Sequence, residues 1–271
     1  GTAWAGAGDD VVYFLGRGFA TLYGGPGDDI LDASQLTSGS ATVPVVEMQG
    51  DGGADRLIGS PFADILRGGA DGDTLRGDRG NDRLYGEGGD DTYIFGDLFD
   101  DDLFSDPAGT STLDFSGATV VLTVTVDAAD ITVSSSGGSI STGTDTVGEI
   151  LFGSANDVVQ ASGFRSTNLT LTDAGGNEVY HFRMAESLPG LTQADVNALA
   201  AVITINDTAG AFDEMIVEQL SAAQPLYLGA GHTSNGRGRV DYSGIERQTV
   251  MGAGAEFTAR RAASREDRIT S

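Results

Sequence analysis

A nine-residue repeat constrains the fold of this chain more than any other feature. Five nonamers follow one another without insertion from Gly50 to Ile94. Their first residue is always glycine and their sixth is always aspartate, while the eighth is leucine in four repeats and tyrosine in the fifth. A short period that is kept in three columns predicts a stack of equivalent structural units, that is, a solenoid.

The three columns are defined by particular residues. The first-position glycines are Gly50, Gly59, Gly68, Gly77 and Gly86. The sixth-position aspartates are Asp55, Asp64, Asp73, Asp82 and Asp91, and the eighth-position residues are Leu57, Leu66, Leu75, Leu84 and Tyr93. Two degenerate nonamers further upstream place Asp10 and Asp29 in the aspartate column. Chance does not keep three columns in phase over five repeats in this way.

Each nonamer is expected to divide into a turn and a short strand. Glycine adopts positive φ freely, so the first six residues can form a tight turn with inward-pointing carbonyls. In the last three residues, the middle side chain faces the interior and its neighbours face solvent. The side chains predicted to lie inside are those of Leu57, Leu66, Leu75 and Leu84. Two nonamers make one coil, and coils stack about 4.8 Å apart. The stacking places Asp73 between Asp55 and Asp91, and Asp64 beside Asp82.

Stacked aspartates need a cation between them. Two carboxylates at such a distance repel by roughly 4 kcal/mol at an effective dielectric constant near 20. Carboxylate and carbonyl oxygens in an irregular loop suit Ca²⁺, which takes six to eight oxygen ligands, better than Mg²⁺. The composition agrees, because 40 acidic residues face 15 arginines and the formal charge is −25. That charge disfavours nucleic acid and acidic membrane surfaces as partners. The chain has no cysteine, which excludes disulfides and thiolate metal sites.

Residues 5–95 closely resemble the β-roll of RTX (repeats-in-toxin) haemolysin-type calcium-binding proteins, which are modules of large secreted bacterial proteins. The resemblance implies Ca²⁺ as the cofactor and a set of ligands in the turns. The implied side-chain ligands are Asp10, Asp29, Asp55, Asp64, Asp73, Asp82 and Asp91, and the implied backbone ligands are in Gly50, Gly52, Gly68, Gly77, Gly80, Gly86 and Gly89. Pro61 and Phe62 replace the flexible turn before Asp64, and Asp71 replaces a fourth-position glycine.

Beyond Phe95 the nonamer stops, but alternating β-branched residues continue to predict strands. We expect a calcium-binding β-roll over 1–97, a β-rich continuation over 98–160 and a degenerate solenoid-like region over 161–259. Asn156 and Asp157 repeat the fifth and sixth nonamer positions. A capping box predicts a short helix near 193–202, and 260–271 is expected to be a tail or linker. The predicted fold class is all-β, a parallel β-roll or β-solenoid with one short helical insertion.

Catalysis by this chain is not expected. Its only histidines are His181 and His232, and it contains neither H-E-x-x-H nor G-x-S-x-G. It has no apolar run of 18 residues that could span a membrane. We expect a structural calcium-binding module of an extracellular protein exported by type I secretion, which folds on Ca²⁺ outside the cell.

Two settings fit such a module. The first is an adhesin or surface protein, whose cell-surface or glycan partner the sequence does not identify. The alternative is the C-terminal calcium-dependent module of a secreted protease, lipase or epimerase whose catalytic domain lies outside this sequence. The long β-rich region after the nonamers favours the first setting.

Overall fold

The computed structural model describes residues 1–39, 45–127, 130–143, 145–162, 168–184, 202–207, 213–219, 227–229, 232–234, 239–243, 245, 247–252 and 255–260. Within these ranges the chain forms strands and turns, arranged in three sheets. No helix in the described residues is long and apolar enough to cross a membrane. The fold is therefore all-β, as the repeat predicts.

The first sheet has six parallel strands, and each pairs with the strand two places further along the chain. In spatial order they are β1 (Thr2–Trp4), β3 (Ala20–Pro26), β5 (Val46–Gly52), β7 (Ile65–Ala70), β9 (Arg83–Gly88) and β11 (Leu103–Ser105).

The second sheet has 12 strands and extends past the nonamers. In spatial order they are β2 (Val11–Tyr13), β4 (Ile30–Asp32), β6 (Arg56–Ile58), β8 (Thr74–Arg76), β10 (Thr92–Ile94), β12 (Ser111–Asp114), β16 (Val147–Leu151), β18 (Leu169–Asp173), β20 (Val202–Asp207), β24 (Arg239–Ser243), β23 (His232–Ser234) and β22 (Tyr227–Gly229). From β2 to β24 all neighbours are parallel, and the last two pairings are antiparallel.

The third sheet has eight strands and follows the first sheet along the chain. In spatial order they are β15 (Gly138–Ser141), β14 (Ile131–Ser135), β13 (Thr123–Val126), β17 (Val158–Ala161), β19 (Val179–Met184), β21 (Glu214–Gln219), β25 (Arg247–Gly252) and β26 (Ala255–Arg260). The strands from β13 to β25 pair in parallel. The chain alternates between the first and second sheets up to β12, and from β16 to β21 it alternates between the second and third.

The register confirms that two nonamers make one coil. Leu57 pairs with Leu75 in the second sheet, and Leu66 pairs with Leu84 in the first. These four side chains are completely buried, and so is Tyr93. Each coil therefore adds an equivalent layer to one continuous core.

Aromatic side chains replace leucine in the core where the nonamers end. The ring of Tyr93 packs edge-on against Phe104, with ring centroids 4.4 Å apart. Phe95 stacks on Phe115 at 4.8 Å, and Phe99 packs edge-on against both. These larger side chains belong to the same buried cluster as the leucines, so the core continues across the end of the repeat.

One detail differs from the sequence prediction, and two predicted segments lie mostly outside the described residues. In the first sheet, β7 and β9 have six residues rather than three, because the first turn residues continue the ladder, with Asp51 opposite Gly69 and Gly69 opposite Glu87. The predicted helix lies outside the described residues except for Val202, which begins β20. The predicted tail also lies outside them, apart from Arg260 at the end of β26. The proposed segment boundaries stay predictions.

Candidate metal centre

The first turn stack consists of the turns that lead from the first sheet to the second, at residues 24–29, 50–55, 68–73 and 86–91. Each turn ends in an aspartate that immediately precedes a strand of the second sheet. The Oδ1 atom of each aspartate accepts a hydrogen bond from the backbone N–H of the preceding aspartate in the stack. These bonds run from Asp10 to Asp29, Asp29 to Asp55, Asp55 to Asp73 and Asp73 to Asp91, each at 2.7 Å. The expected proximity of Asp55, Asp73 and Asp91 is confirmed.

The other carboxylate oxygen in this stack has no partner. Oδ2 of Asp29, Asp55, Asp73 and Asp91 is buried and accepts no hydrogen bond, although these side chains are at most 2% exposed. An uncompensated carboxylate in such a position is strongly unfavourable. Asp10, in the first coil, differs from them because it is half-buried.

The first-position glycines allow these oxygens to approach the backbone closely. A Cβ on Gly50 would collide with Asp55 Oδ2 and would lie 2.5 Å from the carbonyl oxygen of Gly68 in the next coil. Gly68 and Gly86 stand in the same relation to the carboxylates of Asp73 and Asp91. A carboxylate oxygen and, at Gly50, a backbone carbonyl oxygen from the adjacent coil thus both lie close to the glycine. Such oxygen atoms are the ligands of a hard divalent cation.

The second turn stack leads from the second sheet back to the first, at residues 59–64, 77–82 and 96–102. The backbone N–H of Asp64 donates to Asp82 Oδ1, and that of Asp82 donates to Asp102 Oδ1, both at 2.8 Å. Oδ2 of Asp82 and Asp102 is buried without a partner. A Cβ on Gly77 would collide with Asp82 Oδ2, as a Cβ on Gly68 would collide with Asp73 Oδ2. This stack therefore repeats the full arrangement of the first at Asp82, and at Asp102 it repeats the unpartnered oxygen alone.

Asp64 is the exception among the buried sixth-position aspartates. Its Oδ1 accepts the backbone N–H of Val46 at 2.9 Å, and its Oδ2 accepts that of Ser60 at 2.5 Å. The turn containing Pro61 and Phe62 therefore supplies an amide donor where the other turns leave an oxygen free. The ligand role of Asp64 stays a prediction, and its environment sets it apart from Asp82 one coil later.

The remaining glycines of the predicted ligand set have different surroundings. Gly80 and Gly89 have φ of +116° and +135°, and a Cβ on either would strike the backbone of the preceding coil, at Phe62 or Asp71. Asp71, which replaces a glycine in the same turn position, adopts φ +77°. Gly52 has open space where a Cβ would lie, and its carbonyl accepts the N–H of Gly27 at 2.7 Å.

Burial raises the pKa of the stacked carboxyl groups. Desolvation is the largest cause for each, and neighbouring aspartates add to it. The pKa of Asp55 rises to about 6, that of Asp73 to about 7 and that of Asp82 to about 9. The protein matrix alone therefore disfavours the charged form that the loops would need to bind a metal, and a bound cation reverses that preference.

Two acids of the site were missed by the nonamer pattern. Asp102 precedes Phe104 by two residues, as Asp82 precedes Leu84, so an aspartate followed by an apolar residue two places later was the available signal. Asp106 lies at the end of β11, where the preceding coil has Gly86. Its Oδ2 accepts the hydroxyl of Ser111 at 2.5 Å, while its Oδ1 is buried without a partner.

The oxygen-only donor set, the unpartnered buried carboxylate oxygens and the backbone carbonyl that lies beside one of them at Gly50 together fit Ca²⁺. A model of the RTX calcium-binding nonapeptide repeat matches four copies in the chain, over residues 14–35, 49–79 and 67–103. No curated protein matches the chain. The matched repeats coincide with the two turn stacks, so residues 14–35 and 49–103 contain RTX calcium-binding nonapeptide repeats, which bind Ca²⁺.

Proposed function

We propose that the chain is a structural module of an extracellular protein, exported by type I secretion, in which Ca²⁺ drives folding outside the cell. The observation that carries the proposal is the series of buried carboxylates in which one oxygen is held by a neighbouring coil and the other has no partner. Stacked in this way, charged aspartates oppose folding until a cation lies between them.

The chain's own atoms would hold the ion between coils. Asp55 Oδ2 would contribute a side-chain oxygen from one coil, and Gly68 would contribute its carbonyl from the next. Bound Ca²⁺ supplies positive charge and joins oxygen ligands from both. Since each aspartate also accepts an amide from the coil before it, binding at one level orders the next. Folding is therefore expected to be cooperative in calcium.

The interior of a nonamer is too small to fold the roll by itself. Each repeat places one large side chain fully inside, such as Leu75, which contributes roughly 1.5–3 kcal/mol. Fixing nine backbone residues opposes this by roughly 1–2 kcal/mol per residue. Where free Ca²⁺ is scarce, as in the cytosol, the roll would stay extended and able to pass through an export channel. A calcium-rich exterior would then trigger folding.

The arrangement supports a spacer or adhesive segment of a surface protein. The second sheet continues in parallel from β2 to β24, well past the nonamers, and gives the module an elongated core. The module would then act as a stiff spacer or adhesive segment and would have no catalytic activity of its own. Hydrolysis of a protein, lipid or glycan by the purified chain, abolished by a point mutation within it, would overturn this assignment.

Circular dichroism of the full chain tests the proposal. We expect little β signal in chelator and a steep rise as free Ca²⁺ increases to millimolar concentration, with a Hill coefficient above one. Mg²⁺ at the same concentration is the control and should not reproduce the transition. A complete β spectrum in chelator, unchanged by Ca²⁺, would contradict calcium-driven folding.

A further inference from the structure

A second series of buried acids lies outside the nonamers, at the turns between the second and third sheets. Asp157, Glu178 and Asp213 immediately precede β17, β19 and β21, and all three are buried. Leu122 N–H donates to Asp157 Oδ1 at 2.7 Å, and Glu178 N–H donates to Asp213 Oδ1 at 2.9 Å. A longer bond of 3.5 Å joins Asp157 N–H to Glu178 Oε1. Each acid thus accepts an amide from the coil before it, as in the roll.

The backbone around these acids also repeats that of the roll. Val179 N–H donates to the Asp157 carbonyl at 3.0 Å, and Glu214 N–H donates to the Glu178 carbonyl at 2.9 Å. In the roll, Thr74 N–H donates to the Asp55 carbonyl in the same way, at 2.8 Å. The same local construction therefore recurs where the sequence no longer has a nine-residue period.

Three of the carboxylates converge on one point. Ligand oxygens of Asp157, Asp173 and Glu178 all lie within 4.8 Å of one another. Each of these side chains is no more than 1% exposed. Asp157 Oδ2 and Glu178 Oε2 are buried and accept no hydrogen bond. The ion pairs found among the described residues all lie between positions 47 and 87, so none of them neutralises this cluster.

A glycine makes room beside the cluster. A Cβ on Gly176 would collide with Glu178 Oε1 and with the carbonyl oxygen of Ala155 in the preceding coil. Gly50 has the same relation to Asp55 and to the carbonyl of Gly68. A carboxylate oxygen and a backbone carbonyl oxygen from neighbouring coils thus both lie close to the glycine here as well.

We propose that Asp157, Asp173 and Glu178 form a Ca²⁺ site outside the nonapeptide repeats. The three carboxylates supply oxygen ligands only, which suits a hard cation, and an irregular set of this kind is tolerated by Ca²⁺ more readily than by Mg²⁺. The ion would join β17 to β19 and anchor β18, which ends in Asp173. The site uses no residue of the two turn stacks in the roll, so it stands independently of the proposed function.

Counting bound calcium in the full chain tests this site. Glu178→Gln removes one charged ligand with little change in shape, and we expect the number of tightly bound Ca²⁺ ions to fall by one by equilibrium dialysis or native mass spectrometry. Glu149→Gln is the matched control, because Glu149 lies in β16, accepts the hydroxyl of Thr172 at 2.8 Å and is not one of the three acids that converge. It should retain the wild-type count. An unchanged count in Glu178→Gln overturns the site.

Hydrogen exchange of backbone amides tests the proposed site if Glu178→Gln does not fold. In the full-length Asp73→Asn variant, which impairs the roll, Ca²⁺ should still slow exchange of the Val158 and Val179 amides at least tenfold. Loss of calcium-dependent protection in the roll together with retained protection at these two amides supports the separate site. Val158 and Val179 amides that exchange equally fast in chelator and in saturating Ca²⁺ overturn it, whatever happens in the roll.

Discussion

The two turn stacks of the roll have the same aspartate column but not the same chemistry. In the first stack, Asp55, Asp73 and Asp91 each keep one buried oxygen without a partner. In the second, Asp64 has both oxygens hydrogen-bonded, and Asp82 one coil later does not. At Asp64, the backbone N–H of Ser60 in the same turn thus binds the carboxylate oxygen that has no partner in the other turns. The sixth-position aspartates therefore do not all have the same hydrogen-bond environment, and the turn before each aspartate sets that environment.

The largest expected effect is the difference between Asp73→Asn and Asp64→Asn. Asp73 accepts the amide of Asp55 and has an unpartnered oxygen, so its loss should remove at least one Ca²⁺ ion. At a free concentration about 100 times the dissociation constant, one ion contributes roughly 2.7 kcal/mol to the free energy of unfolding. Asp64→Asn should leave the calcium count unchanged. Isothermal titration calorimetry and calcium-saturated melting compare the two, and equal losses would contradict the distinction between the stacks.

Asp73 and Asp55 hold equivalent positions in the series of aspartates that are joined by hydrogen bonds between coils. From the nonamers alone, Asp73 is the aspartate with a neighbour on each side. In the structure the ladder continues to Asp29 and Asp10, so Asp55 also lies between two aspartates. The step from Asp29 to Asp55 spans 26 residues instead of 18, which hides the relation in the sequence. Asp64, rather than Asp55, is therefore the informative comparison for Asp73.

The metal-free roll should be more stable in acid than at neutral pH. The pKa of Asp55 is raised to about 6 and that of Asp73 to about 7, whereas aspartate in an unfolded chain titrates near 3.9. The folded state therefore binds more protons between these values. Its stability is greatest below about pH 4 and falls as the pH rises through 6 and 7.

Circular dichroism in calcium-depleted buffer measures this dependence. The β signal should decline from pH 4 to pH 7, and saturating Ca²⁺ should restore it at pH 7, because the ion binds the deprotonated carboxylates. Asp82, whose pKa is raised to about 9, extends the effect above neutrality. A metal-free β signal that increases with pH would contradict the sign of these shifts.

Much of the roll could be predicted from sequence because its columns are enforced by local chemistry. Leucine or tyrosine in the eighth position and glycine in the first each occur once per nonamer. Two nonamers make one coil, so this nine-residue period sets the coil length and the register of the strands. The same reasoning could not assign the Ser60 amide to Asp64, since that bond depends on the shape of a turn containing Pro61. It also missed Asp102, because the coil from Asp82 to Asp102 is two residues longer than the 18-residue coil of the nonamers.

The distal acids show a second limit of the nonamer pattern. Asp157 was noted in the sequence as an isolated return of the repeat, but its partner is Glu178, which is a glutamate and lies 21 residues further on. Neither residue type nor spacing matches the nonamer. Only the pairing of β17 with β19 brings the two carboxylates into adjacent coils.

A smaller effect is expected from two glycines of the same stack. Gly68→Ala places a methyl group against the Asp73 carboxylate, where it would displace the oxygen that has no hydrogen-bond partner. We expect the calcium midpoint to rise about tenfold, equivalent to about 1.4 kcal/mol. Gly52→Ala is the control, because its Cβ would meet no atom within 4 Å. Calcium titrations followed by circular dichroism compare them, and similar midpoints in both variants would argue against the glycine column as a metal cradle.

The smallest and most specific expected change is the gain of one ion when the exceptional turn is made regular. In the double variant Pro61→Gly/Phe62→Gly the turn reads G-S-G-G-A-D, so the second stack acquires the glycine at the fourth position that Gly80 provides one coil later. The Ser60 amide should then leave Asp64 Oδ2, because the proline that holds this turn is gone. Loss of the partly buried Phe62 ring lowers stability in chelator, whereas the new site raises it in Ca²⁺. Native mass spectrometry should count one Ca²⁺ more than in the wild type, and adding Asp64→Asn should remove that ion alone. An unchanged count in the double variant would mean that the Ser60 amide is not what separates Asp64 from the other aspartates of the roll.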